Sequence, residues 1–249
     1  MMAILEEAMH CYTNLETKLL GRMRFNDYHR RGLAVLQNFD RHASEVVFMS
    51  IDFEGQTATN FGIATLCDRT DSIRCMNYAL KKDHCDKFVF GDSVRVPDSA
   101  ALRRAVISEI QSRRPASSQI VLVGHAVRNE LDLMELMDID LCHLPVVGVI
   151  DTHELFREAV GYSGKLRNVL SALNIPFRIE TLHCAGNDAH YTLRAFLALL
   201  IQKQGPSARW EDDEWADIIR GPRLMPKVRD RAALDMDWDE HLDFDLEQV

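Results

Sequence analysis

The stretch VVFMSIDFE, residues 46–54, has the pattern of a strand that runs through the protein interior and ends in two acids. Its first part is almost entirely apolar, which is typical of a strand buried on both faces. Residues two apart in a strand share a face, so Asp52 and Glu54 point the same way. Two such carboxylates repel each other unless a cation or a proton compensates. The strand end is therefore either a cation site or a place where both acids simply reach solvent.

The segments after this strand predict an α/β fold, a sheet with helices on both faces. Two more strands follow directly, and strands then alternate with helices. The further strands are predicted at 61–68, 72–80, 119–125 and 146–152. Helices are predicted at 98–113, where Asp98 is the cap, and at 127–137, 153–160 and 164–175, with a last helix near the stretch HCAGNDAHYTLRA, residues 183–195.

The amino-acid composition is that of an ordinary soluble protein of 249 residues, with 47% apolar and 27% charged residues. We expect one domain at 44–204, a helical extension at 1–43 and an acidic tail at 205–249. No apolar run approaches the roughly 18 residues of a membrane helix. Glu6 and Glu7 interrupt the first apolar stretch, which argues against a targeting peptide. A cytoplasmic or nuclear location is expected, without membrane association.

The net charge of −9 is concentrated near the end of the chain. Residues 211–249 hold 13 acids and 5 bases, whereas the other 210 residues hold 25 acids and 24 bases. The tail is thus expected to be partly disordered or draped over the domain. Because residues 1–210 are nearly neutral, the negative net charge of the whole chain does not exclude nucleic acid as a partner.

The six cysteines are scattered and form no C-x-x-C pair. Reduced thiols are therefore expected, rather than disulfides or a zinc site.

The stretch 183–195 brings a histidine close to the start of the last helix. Asn187 or Asp188 is expected to cap this helix, and His183 to lie with Ala185 and Gly186 on a mobile loop. Taken alone, His183 could be a plain loop histidine.

Four carboxylates and this histidine fall at the ends of predicted elements, where ligand sites of open α/β sheets form. Together they resemble the DEDDh family of 3′–5′ exonucleases, which has an RNase H-like mixed sheet flanked by helices. The matching motifs are D-x-E at Asp52 and Glu54, G-H-x4 followed by Glu130, and H-x4-D at His183 and Asp188. The resemblance covers about residues 45–203. Within the superfamily, HCAGNDAHYTLRA looks most like a fungal group that includes the Argonaute-associated exonuclease of RNA silencing.

The resemblance implies a two-metal hydrolase that removes nucleoside 5′-monophosphates from a nucleic-acid 3′ end, either RNA or DNA. Two Mg²⁺ or Mn²⁺ ions about 4 Å apart would serve as cofactors. In family terms Asp52 bridges both ions, and Glu54 and Asp188 complete the site of the ion that holds the nucleophilic water. Glu130 supports the second ion, and His183 is the general base. An Argonaute-type silencing protein is a further implied partner.

Glu130 departs from the family pattern, which has aspartate at this position. Glutamate is longer by one methylene, and Mg²⁺ tolerates little error in its octahedral shell. Asp132 is expected to face solvent and so cannot replace it. The alternative function is therefore a weak or inactive pseudo-exonuclease that binds nucleic acid or a silencing protein. His125 is expected to hydrogen-bond locally rather than touch substrate.

Overall fold

The computed structural model describes residues 24–37, 46–67, 72–80, 87–91, 93–112, 118–204 and 218–219. The part of the predicted helical extension before residue 24 and most of the acidic tail lie outside these ranges, so the predicted domain limits stay predictions. Within the described ranges, none of the helices combines the length and apolar character needed to span a membrane.

Six strands and six helices are described, besides two short 3₁₀ turns and the two helical residues 218–219. In chain order they are α1 (24–37), β1 (Val46–Glu54), β2 (Asn60–Cys67), β3 (Ser72–Leu80), β4 (Ser93–Val96), α2 (Ser99–Ser112), β5 (Gln119–Gly124), α3 (Arg128–Leu136), β6 (Val146–Asp151), α4 (Thr152–Val160), α5 (Leu166–Ala172) and α6 (Ala185–Gln204).

The six strands form one mixed sheet in the order β4-β3-β2-β1-β5-β6. The first three strands are antiparallel neighbours, whereas β1–β5, β5–β6 and β3–β4 are parallel pairs. This arrangement confirms the predicted α/β class with an RNase H-like mixed sheet. The short strand β4 was not predicted, because its four residues are too few to show a periodic pattern.

Each face of the sheet carries its own apolar core. Phe48 of β1 and the buried residues that share its face pack against α6, where its ring lies 4.8 Å from that of Phe196. Met49 and Ile51 point to the other face and join the core that includes residues of α2 and α3. The alternation along β1 places Asp52 and Glu54 on the α6 side, as the strand period requires.

Helix α1 covers the edge strand β6 through a contact between two glycines. A Cβ on Gly32 would lie 2.2 Å from the Val149 carbonyl oxygen, and one on Gly148 would lie 2.4 Å from the Gly32 nitrogen. Leu36 of α1 belongs to the α6-side core, and Phe25 packs against the opposite core. The helix therefore crosses the sheet edge and shields backbone N–H and C=O groups of β6 that could otherwise pair with a strand of another molecule.

Helix α5 is shorter than the predicted 164–175. Asn174 adopts the left-handed conformation, with φ 54°, and the Ile175 N–H donates to the Leu170 carbonyl. Such a left-handed residue ends a helix by satisfying its last carbonyls, and asparagine tolerates it better than most residues.

We predict that Gly148→Ala destabilises the fold, because the added methyl group must push α1 away from β6. The free energy of unfolding should fall by about 1–3 kcal/mol, the usual cost of overpacking. Urea denaturation would measure it. Ser112→Ala, at the exposed end of α2, should change stability by less than about 0.5 kcal/mol. Equal stability of the two variants would contradict the close contact.

Candidate metal centre

The start of α6 lies directly on the sheet at Gly62. This glycine pairs with Asp52 across β1 and β2, and a Cβ there would lie 1.9 Å from the Ala185 carbonyl oxygen. No other residue type permits this approach. It brings Asp188, in the first turn of α6, to the carboxylates at the end of β1.

The predicted start of α6 is wrong by three or four residues, since a cap at Asn187 or Asp188 would place the first helical residue at 188 or 189. The helix begins at Ala185, so Ala185 and Gly186 belong to the helix rather than to a loop. Gly186 is held closely, because a Cβ there would lie 2.6 Å from the Phe88 ring and 2.7 Å from the Cβ of Asn77. Asp188 does not cap the helix from outside. Its Oδ2 instead accepts a hydrogen bond of 2.9 Å from the backbone N–H of His183.

His183 stands just before α6 with its imidazole in solvent. Its φ of 59° lies in the left-handed region, and its side chain is 84% exposed. The Nδ1 atom is 3.8 Å from Oε1 of Glu54. One possible ligand atom from each of Glu54, His183 and Asp188 lies within 4.8 Å of the others. The structure thus brings the histidine and two of the predicted acids together at one site.

The other two predicted acids, Asp52 on β1 and Glu130 on α3, belong to the same group. Burial raises the pKa of Asp52 well above its usual range, and the charges of Asp188, Glu130 and Glu54 raise it further. Burial likewise raises the pKa of Asp188 to about 7, with the charge of Glu54 as the next cause. The cluster is therefore too crowded to hold all its negative charges without a counter-ion.

Glu130 occupies the first turn of α3 and is only 6% exposed. Burial raises the pKa of its carboxyl to about 8. Asp132 is exposed, as predicted, and so offers no substitute ligand. The structure thus places Glu130, rather than its neighbour, with the buried acids.

The donor set fits hard divalent cations. Three buried carboxylate oxygens have no hydrogen-bond partner in the described structure, namely Oδ2 of Asp52, Oε2 of Glu130 and Oδ1 of Asp188. A buried acceptor without a partner is costly, and coordination to a cation removes that cost. Mg²⁺ and Mn²⁺ prefer oxygen ligands. Asp52, Glu54, Glu130 and Asp188 are therefore suited to hold such ions.

Asp151, at the end of β6, is a buried acid that the sequence analysis did not place in the site. Its Oδ1 accepts from the N–H groups of Ala126 and His153, and its Oδ2 accepts from that of Val127. These bonds fix the turn that leads from β5 into α3. Asp151 therefore positions Glu130 and also caps α4. The sequence does carry a signal for Asp151, an acid at the end of an apolar strand, which is the same signal that indicated Asp52.

His125 has the local role expected of it. Its Nε2 lies 3.0 Å from the Gly164 carbonyl oxygen, and its Nδ1 lies 3.1 Å from Oγ1 of Thr152. Burial, and after it the charge of the nearby His153, lowers the pKa of His125 to about 4. The ring is therefore neutral near pH 7 and ties the β5–α3 turn to the segment before α5.

We predict that the metal-free protein loses stability as the pH rises from about 6.5 to about 8, a range in which the buried His125 and His190 are largely neutral in both states and no longer oppose the acids. The raised pKa values of Asp188 and Glu130 mean that the folded state binds protons the unfolded state has already released, so unfolding becomes easier across this window. Melting temperatures in EDTA would measure the slope. Mn²⁺ should raise the melting temperature most at the high end, by neutralising the ionised cluster.

Asp52→Asn should weaken this Mn²⁺ response, whereas Asp132→Asn, an exposed acid next to the site, should leave it intact. An unchanged response in Asp52→Asn would contradict the metal assignment.

Comparisons with known proteins agree with this geometry. A family model described as DEDDh_C, DNA polymerase III subunit epsilon-like, C-terminal domain, matches residues 63–199, which is more than half of the chain. The match includes Glu130, His183 and Asp188 and begins after Asp52 and Glu54. The chain is also 34% identical over 122 residues to a Schizosaccharomyces pombe protein, uncharacterized nucleolar protein C2C4.08. That alignment covers 45% of this chain and 46% of the relative, so the chain spans less than half of the relative's length.

From the matched residues and the clustered acids together, this chain belongs to the DEDDh family.

Proposed function

We propose that the protein is a metal-dependent 3′–5′ exonuclease that hydrolyses RNA or DNA to nucleoside 5′-monophosphates. The observation that carries the proposal is the cluster of buried, unpartnered carboxylate oxygens beside an exposed histidine. Family membership supports nuclease activity, and the residues of the cluster have the types that phosphodiester hydrolysis requires. The two-metal mechanism, the 3′–5′ direction and the nucleotide products belong to this proposal.

The chain's own residues divide the chemistry between them. Two divalent ions held by Asp52, Glu54, Glu130 and Asp188 would stabilise the negative charge that develops on the phosphoryl oxygens. His183 takes the proton from the attacking water, since its imidazole is solvent-exposed and lies beside Glu54. Asp188 orients His183 through the hydrogen bond to its backbone. Its two oxygens thus serve different tasks, one toward the histidine and one toward a cation.

A second candidate function is a binding module with little or no catalysis. The observation that favours it is the length of Glu130, a buried glutamate where the family has aspartate. In this version the acidic cleft holds a nucleic-acid end, and an Argonaute-type silencing protein is the proposed partner. Only the resemblance of residues 183–195 to the fungal silencing group supports that partner.

A nuclear location is also part of the proposal. The support is the S. pombe relative, whose name places that protein in the nucleolus.

We predict that the protein shortens 5′-labelled oligonucleotides from their 3′ ends only with Mg²⁺ or Mn²⁺. His183→Ala should lower kcat by roughly 10²–10⁴-fold, the usual contribution of a general base. Its Mn²⁺-induced rise in melting temperature should persist, because the carboxylates remain. His143→Ala, which removes a similarly exposed histidine far along the chain from His183, is the control. Internal cleavage, or full activity of His183→Ala, would contradict the proposed reaction.

Glu130 separates the two candidate functions. Glu130→Asp restores the family's shorter acid at a helix N-terminal turn, where aspartate is well tolerated. We expect it to fold normally and to cleave as fast or faster in Mg²⁺, with less dependence on Mn²⁺. Glu130→Gln should lose most activity, because it keeps the shape and removes the charge. If Glu130→Gln cleaves as fast as the unmodified protein under single-turnover conditions, Glu130 does not assist catalysis.

A further inference from the structure

The segment 87–91, between β3 and β4, is attached to the start of α6 by Asn187. The Asn187 side chain donates to the Lys87 carbonyl at 2.7 Å and accepts from the Val89 N–H at 3.1 Å. Its amide also donates to the Thr181 carbonyl at 2.7 Å. Asn187 is fully buried, so its oxygen and both amide hydrogens serve to hold neighbouring backbone in place. Through these three hydrogen bonds Asn187 fixes the position of segment 87–91 against the start of α6.

Aromatic packing directs the rest of this segment inward. Phe88 lies against Gly186, and the Phe90 ring stacks on His190 with 3.6 Å between ring centroids. Lys87 is exposed, and it makes no ion pair with any residue that the structure describes. Because Asn187 immediately precedes Asp188, its bond to the Lys87 carbonyl holds the backbone of this lysine beside the helix turn that carries Asp188. The charge of Lys87 acts on Asp188 and opposes, without cancelling, the burial and the Glu54 charge that raise the pKa of that acid.

We propose that Lys87 binds a backbone phosphate of the nucleic-acid strand whose end enters the metal centre, and that Asn187 positions it there. This inference rests on the proposed function and names how its substrate is held. Lysine carries a compact charge on a flexible stem, which suits contact with a backbone phosphate whatever the base sequence. The bordering acids repel nucleic acid, so a cation fixed at their rim offsets that repulsion where the strand arrives.

The test is the binding of short 5′-fluorescein-labelled RNA and DNA to the full chain, followed by fluorescence anisotropy in Ca²⁺ at several salt concentrations. Lys87→Ala should weaken binding for all sequences and reduce the slope of log K against log salt by about 0.7 to 1. Lys87→Arg should retain the slope. Arg104→Ala, which removes an equal charge from an exposed site on α2 across the sheet, should behave like the unmodified chain.

Asn187→Ala should weaken binding in the same way, and the double variant with Lys87→Ala should be no weaker than either single variant. Additive losses would contradict the positioning role of Asn187. A Lys87→Ala slope equal to that of Arg104→Ala would overturn the phosphate contact. Binding that depends on Lys87 without any cleavage in Mn²⁺ would support the contact and contradict the exonuclease. If the unmodified chain binds neither oligonucleotide, both proposals fail.

Discussion

Repulsion between carboxylates that the fold forces together is the constraint on which this structure depends. The approach of α6 to the sheet at Gly62 sets Asp188 over the end of β1, where Asp52 and Glu54 share a face. The apolar cores on both faces hold these elements despite the charge they carry. The consequence is a cluster whose pKa values are raised and whose buried oxygens lack partners. Such a cluster is least costly when it binds cations.

Much of the fold could be predicted because its elements carry strong local patterns. The limits of β1 were predicted to the residue, since a long apolar strand ending in acids is distinctive. The start of α6 was not, because Ala185 and Gly186 resemble a turn when read alone. What makes them helical is tertiary packing against Gly62 and Phe88, residues far away in the sequence. Local propensity carries no information about such contacts.

The acids and the histidine could be proposed as a site from their spacing at the ends of elements. Asn187 and Lys87 could not, since Asn187 acts through hydrogen bonds to the backbone of other segments, including that of Lys87. Asn187 joins Lys87 and Thr181, which are 100 and 6 residues away in the chain. Side-chain type alone does not reveal which backbone group will be its partner. The support around the metal centre therefore emerges only from the three-dimensional structure.

The most direct test of the metal centre is a crystal of the protein grown with Mn²⁺, measured by anomalous diffraction at the manganese edge. We predict two manganese peaks about 4 Å apart, with Asp52 between them. Asp188 and Glu54 should contact one ion, and Glu130 should lie on the side of the other. Manganese bound only at exposed acids, with none within coordination distance of Oδ2 of Asp52, would contradict it.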